Sequence, residues 1–187
     1  MSNVGAGTTD GLGWLTDHIR DVADFPQPGV VFKDLTPLLG DARAFATAVA
    51  ALAEPFRDHG VTKVAGIEAR GFILAAPVAV SLHAGFVPVR KRGKLPWLTE
   101  EATYDLEYGT DTLAVHADGV VPGDRVLIID DVIATGGTAA ATVELIVRLG
   151  ATVVGLGFLV ELGFLGGRRR LEPTGWGDEL RSLVAYG

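Results

Sequence analysis

The chain has no cysteine among its 187 residues. That excludes a disulfide framework, a thiolate metal site and a cysteine nucleophile, and it fits a cytoplasmic protein. Apolar runs of bilayer length are missing as well; the longest candidates are broken by Pro, Gly, His or charge. No apolar core of signal-peptide length stands near the start, so neither a membrane span nor a secretory leader is expected. Positive charge is in deficit, with 16 Lys and Arg against 23 Asp and Glu, for a net charge of −7. Such a balance argues against a nucleic-acid groove. Basic residues nevertheless cluster at Arg90-Lys91-Arg92 and Arg168-Arg169-Arg170. The chain is 48% hydrophobic and long enough for one domain with a substantial core. Residues 1–13, rich in Gly, Ser, Thr and Asn, read as a flexible leader, and residues 14–187 as a single domain.

The most informative stretch is Val126-Leu127-Ile128-Ile129-Asp130-Asp131-Val132-Ile133-Ala134-Thr135-Gly136-Gly137-Thr138. Its apolar start reads as a strand buried on both faces. Two carboxylates follow at the strand's end, then a loop of small residues, then a helix from Thr138. In open α/β sheets ligands bind at such strand ends. Gly136 and Gly137 let the backbone take positive φ and approach a ligand closely. The amides of Ala134, Thr135, Gly136, Gly137 and Thr138 form a cradle for a phosphate monoester at a helix N-terminus, with Thr135 and Thr138 adding hydroxyls. Asp130 and Asp131 would repel a phosphate; they suit vicinal hydroxyls, as on a ribose, or a cation. A sugar phosphate satisfies both halves. Other nucleotide loops do not fit. A Walker A loop needs a lysine that is missing here, and a dinucleotide fingerprint places its acid well after the glycines.

Along the rest of the chain, Leu15, Ile19 and Val22 predict a short amphipathic helix over residues 14–22. Residues 25–39 hold three prolines and a glycine, which exclude a helix or a central strand. Their apolar residues Phe25, Val30, Val31 and Phe32 leave two readings open: a buried connector, or a segment that pairs with a flat heterocycle. A helix over residues 41–59 is capped by Asp41 and ended by Gly60, with Pro55 predicting a kink or early stop. Residues 62–67 form a strand, Glu68-Ala69-Arg70-Gly71 a loop, and residues 72–83 a helix bent at Pro77. Arg70 offers a planar fork suited to a diphosphate, or is a surface residue beside a turn.

After a short strand over 85–90, residues 91–109 run basic, aromatic and then acidic. They form a solvated hairpin or a mobile lid. Residues 111–118 predict a half-exposed strand. The helix after Thr138 is expected to bury Val143, Ile146 and Val147 and to stop at Gly150. A buried strand over 152–160 leads to Glu161 and Leu162. Residues 166–170 read as a solvated basic turn, and residues 180–186 as a last strand. Strands alternating with helices give an α/β fold, a mainly parallel sheet flanked by helices.

The acidic-glycine stretch resembles the 5-phosphoribosyl-1-pyrophosphate (PRPP) motif of the type I phosphoribosyltransferases. Further motifs follow in that family's order. Phe25-Pro26-Gln27-Pro28-Gly29-Val30-Val31-Phe32-Lys33-Asp34 is similar to the base segment of its adenine-using branch, and Glu68-Ala69-Arg70 to the pyrophosphate loop. Arg90-Lys91-Arg92-Gly93-Lys94-Leu95-Pro96 and Tyr104-Asp105-Leu106-Glu107-Tyr108-Gly109 resemble the flexible loop, and Ser182-Leu183 with Tyr186 the closing Ser-Leu-x-x-Tyr. Glu68 stands where some members have Asp.

The resemblance implies the type I phosphoribosyltransferase fold over residues 14–187, with a small hood built mainly from residues 14–40 and a lid at about 91–109. It implies purine salvage, adenine + PRPP → AMP + pyrophosphate, in a cytoplasmic homodimer. Mg2+ would be held mainly through PRPP oxygens, with no direct protein ligand. Phe32 would stack on adenine, Val31 and Lys33 would read it through their backbone, and Leu162 would pack on it. Glu68, Ala69 and Arg70, the first two through a non-proline cis peptide, would line the diphosphate with Arg90, Lys91 and Lys94, Arg90 in its own or the neighbouring subunit. Residues 134–138 would hold the 5′-phosphate, and Asp130 and Asp131 the ribose hydroxyls. Glu107 would exchange the imidazole proton of the purine. Two alternatives are a phosphoribosyltransferase for hypoxanthine, guanine or orotate, which the base segment disfavours, and a PRPP-sensing regulator, which the acidic net charge disfavours.

Overall fold

The computed structural model describes residues 11–105, 109–177 and 179–187. The expected leader falls mostly on residues 1–10, outside the described residues. The chain starts with a 3-10 turn at Gly13–His18, then β1 (Arg20–Ala23) and β2 (Val31–Asp34), which pair antiparallel as a separate two-stranded ribbon. The single helix expected over residues 14–22 is therefore not formed. Leu15 and Ile19 are buried as that spacing requires, but Val22 lies opposite Phe32 in the ribbon. Cross-strand charge pairs hold the register: Lys33 meets Asp21 at 2.6 Å and Arg20 meets Asp34 at 3.8 Å.

A short helix α1 (Thr36–Gly40) also corrects the exclusion of helix from residues 25–39. Pro37 sits in its first turn, where a missing N–H costs nothing. Next comes α2 (Ala42–Ala53), whose cap Asp41 accepts the Ala44 N–H at 2.8 Å. It stops before Pro55, and the chain tightens to 3-10 geometry through His59 before the left-handed Gly60.

The remaining elements are β3 (Lys63–Ile67), α3 (Gly71–Ser81), β4 (Gly85–Lys91), β5 (Thr99–Asp105), β6 (Thr110–His116), β7 (Arg125–Ile133), α4 (Gly137–Arg148), β8 (Thr152–Leu162), α5 (Gly167–Leu171) and β9 (Leu180–Tyr186). Their seven strands form one sheet in the order β5-β6-β4-β3-β7-β8-β9. The run from β4 to β9 is parallel, and the β5–β6 hairpin adds antiparallel at the edge. This is the expected mainly parallel α/β sheet with helices on both faces.

Alternation along β7 supplies both cores. Val126 and Ile128 pack with α4 and Leu171 of α5, whereas Leu127 and Ile129 pack with α1, α2 and α3. β7 also continues past the acids to Ile133, because Val132 and Ile133 keep pairing with Val160 and Glu161 of β8. Three burial expectations change. Val147 is 54% exposed, since it lies one residue past Ile146 and faces off the sheet. β6 buries Leu113, Ala114 and Val115 in succession, because β4 and β5 flank it. Residues 166–170 are not a solvated turn: they enter α5, and Arg168 is tied into the body of the fold.

Neighbouring β3 and β7 are parallel, yet their crossovers diverge. α3 returns to β4 across one face, and α4 returns to β8 across the other. The loops after β3 and β7 thus lie side by side at the strands' C-terminal ends, at a switch point of the sheet.

Candidate active site at the sheet switch point

The loop after β7 turns at Gly136, whose φ is +77°, and opens α4. No side chain caps α4, in contrast to α2 with Asp41. Its first amides keep their donor capacity and the positive end of the helix dipole. Asp130, Ala134, Thr135, Gly136, Thr138 and Phe158 line an open cavity of about 70 Å³ here. That is room for a phosphate-sized group, well under the ~300 Å³ at which pockets for drug-sized molecules begin.

Asp130 and Asp131 are both buried. Burial first, and then the Asp131 carboxylate beside it, push the Asp130 carboxyl well above the ordinary carboxylate range. The Asp131 N–H donates to Asp130 Oδ1 at 2.9 Å and works against that shift. Gly71, the first residue of α3, leaves the space that Asp130 occupies; a Cβ there would lie 2.5 Å from Asp130 Oδ1. Arg70 approaches from the β3 loop, with its Nε 2.5 Å from Asp131 Oδ2. This is a charge contact without hydrogen-bond alignment, so Asp131 Oδ2 has no properly angled donor. The same guanidinium lies 5.2 Å from the centre of the Phe32 ring. One Arg thereby joins the residues expected to meet base, ribose and diphosphate.

The Glu68–Ala69 peptide preceding Arg70 is cis. Glu68 receives Arg90 through Nε at 3.3 Å and Nη2 at 3.1 Å, and the Lys91 N–H at 2.9 Å. Burial works to raise the Glu68 carboxyl, but these donors outweigh it and hold the group below its ordinary value. Arg90 Nη1 also donates to the Lys94 carbonyl at 3.0 Å. Of the expected pyrophosphate residues, Glu68, Arg90 and the Lys94 carbonyl thus form one cluster, whereas Arg70 turns to Asp131 and the Lys91 ammonium turns to Asp111 at 2.9 Å.

On the base side, Phe32 packs edge-on against Phe25 at 5.2 Å. Among the described residues β2 pairs only with β1, which leaves its other edge open. Val31 and Lys33, two residues apart, turn their backbone groups to the same side. The Lys33 ammonium lies 3.9 Å above the Tyr186 ring, and Leu162 pairs with Tyr186 across β8 and β9. This carries the N-terminal ribbon to the sheet's binding edge. Glu107 lies outside the described residues.

The sequence reading missed a polar cluster beside the phosphate loop, in which Arg168 and Ser182 converge on buried Glu161. Its one local signal was a charged Glu161 at the end of an otherwise apolar strand.

Comparisons with known proteins give the family. A model described as "Phosphoribosyl transferase domain" matches residues 38–180. An adenine phosphoribosyltransferase of Streptomyces clavuligerus is 64% identical over 160 residues, which is 86% of this chain and 90% of that protein. The chain belongs to the adenine phosphoribosyltransferase family. Among solved structures, the family member from Rhodothermus marinus superposes with a TM-score of 0.88 at 54% identity, covering 94% of this chain and 98% of that one. The Giardia lamblia enzyme, solved with 9-deazaadenine, gives a TM-score of 0.88 at 36% identity over the same shares of the two chains.

A raised carboxyl yields a testable sign. The stability that Asp130 contributes is fully present below the ordinary Asp pKa, about 3.9, and is lost as pH rises through its folded value. Asp130→Asn cannot ionise. Its melting temperature should therefore gain on the wild type as pH goes from 5 to 8, while activity falls. An offset that stays constant with pH would remove the buried-charge argument.

Proposed function

We propose that this chain performs the phosphoribosyl transfer of its family, adenine + PRPP → AMP + pyrophosphate, with the switch-point residues in the following roles. The carrying observation is the line Phe32–Arg70–Asp131, set beside a glycine-led, uncapped helix start. Residues 134–138 bind the 5′-phosphate. Asp130 and Asp131 take the ribose hydroxyls, and their negative potential favours the cationic ring that develops as the C1′–O bond breaks. Arg70 exchanges the Phe32 face for the diphosphate, which frees that face for adenine. Ala69 lines the diphosphate, with Glu68 holding Arg90 in place. Lys91 and Lys94 add positive charge near the leaving group.

Adenine stacks on Phe32 against Leu162, and the backbone of Val31 and Lys33 reads its edge. A 6-oxo purine would leave those backbone groups mispaired. As N9 bonds to C1′, the imidazole proton that adenine gives up passes to Glu107. Much of the rate comes from alignment of N9 with C1′. Among the described residues no three His, Cys, Asp or Glu side chains form a metal cage. Beside the acid pair, Mg2+ would be held mainly through PRPP oxygens. When bound, it would supply charge neutralisation for the diphosphate.

The hood reading of residues 14–40 draws support from the β1–β2 ribbon beside Tyr186. The lid reading draws support from Trp97 and Leu98, 66% and 72% exposed on the loop before β5. A homodimer is supported by α3, an apolar helix with Ile73 and Val80 exposed, and by Phe86, exposed on β4 and packed against Phe72 of α3. A cytoplasmic setting fits the lack of cysteine; among the described residues no helix is long and apolar enough to cross a membrane.

Two variants test these roles. Phe32→Ala should raise the adenine KM about tenfold, the scale of one base–aromatic stack, and leave the PRPP KM nearly unchanged. Equal rises would refute the stacking role. Asp131→Asn should lower kcat by about 10²-fold or more, the scale of one preorganised electrostatic contact. Near-normal turnover would refute its assignment.

A further inference from the structure

The phosphate loop does not stand alone. Its back rests on the start of α5, backbone against backbone. A Cβ on Gly167 would lie 2.4 Å from the Ala134 carbonyl oxygen, 2.8 Å from Ile133 Cγ1 and 3.0 Å from the Gly136 nitrogen. Reciprocally, a Cβ on Gly136 would lie 2.6 Å from the Gly167 oxygen. Apart from Ile133 Cγ1 these are backbone atoms, which cannot give way as the end of a flexible side chain can, so the two segments fix each other's position.

Arg168 then anchors the Gly167 segment. Its guanidinium grips Glu161 as a fork, Nε to Oε1 at 3.0 Å and Nη2 to Oε2 at 2.6 Å. Its Nη1 donates to the carbonyls of Gly177 and Leu180, both at 3.0 Å. Ser182 Oγ donates to the same Glu161 oxygen at 2.6 Å. Glu161 is buried, and its register partner across the sheet is Ile133, the last residue before the phosphate loop. The anchor and the loop therefore share one point on the sheet.

We infer that Gly167 and Arg168 are positioning residues for the 5′-phosphate: a brace that sets the Gly136 amide and the Ala134 carbonyl from behind the loop. This rests on the reading of residues 134–138 as the phosphate site. Oriented amides bind an anion only when their directions converge, and misplacement by about 1 Å can cost about 10²-fold in function. Arg168 needs its planar fork for this, which lysine lacks. Neither residue touches the phosphate. The brace acts through the shape of the loop, so its loss removes phosphate affinity and spares the nucleoside half of the site.

The test is calorimetric binding of AMP and of adenosine, which differs from AMP in lacking the phosphate. The readout is the ratio of the adenosine Kd to the AMP Kd. Gly167→Ala should reduce that ratio about tenfold, the equivalent of one charge-assisted hydrogen bond, with the adenosine Kd unchanged. Arg168→Lys, which keeps the charge and loses the fork, should reduce it in the same direction, and Ser182→Ala by less. Should Gly167→Ala fail to fold, the two milder variants carry the test. Folded variants with the wild-type ratio, or variants that lose adenosine and AMP equally, would overturn the brace. A wild-type ratio near one would instead refute the phosphate reading itself, and the brace with it.

Discussion

Two adjacent carboxylates are buried near the C-terminal end of β7, and much of the binding edge can be understood as a response to them. Asp130 is raised well above the ordinary carboxylate range by burial and by its neighbour. A fold selected for stability alone would place apolar residues here, since unpaired buried charge is costly. Instead the structure surrounds the pair with partial compensation. Arg70 comes within 2.5 Å of Asp131, the Asp131 N–H serves Asp130, and glycine opens α3 so that the Asp130 carboxylate has room. The compensation is incomplete, because Asp131 Oδ2 still has no aligned donor. Incomplete satisfaction of that kind is expected where a ligand's hydroxyls take over.

The sheet makes this arrangement possible. A parallel strand buried on both faces gives a rigid platform, and the divergence of α3 and α4 from neighbouring strands opens a crevice between two loops. One loop carries amides for an anion, and the other carries Arg70 and the Glu68–Arg90 pair. The N-terminal ribbon adds Phe32 from above, tied to β9 through Lys33 and Tyr186. Under the proposed function, elements remote in sequence thus supply the base, ribose and phosphate parts of one site.

Local rules made part of this legible. The apolar run into Asp130, the glycine turn, the Asp41 cap and the stop at Pro55 each follow from a few consecutive residues. The ribbon was not legible, because the spacing of Leu15, Ile19 and Val22 also suits a 3-10 turn followed by a strand. Only the pairing of Asp21 with Lys33 and of Arg20 with Asp34 decides between them. Arg168 was misread for a similar reason. In a run of three arginines nothing marks the one that turns inward; its partners Glu161, Gly177 and Leu180 meet only once β8, α5 and β9 are assembled. The proposed roles of Phe32 and of the Glu68 loop rest on family resemblance, because residue chemistry alone fits a buried connector and a surface arginine as well.

The most direct measurement is base-dependent release of pyrophosphate from PRPP and Mg2+, with adenine, hypoxanthine, guanine and orotate compared side by side. The account predicts release with adenine and little with the other three, because the β2 edge reads a 6-amino purine. Release with a 6-oxo purine or orotate in place of adenine would contradict the assignment of the base segment. PRPP binding without release for any base would contradict the proposed transfer altogether.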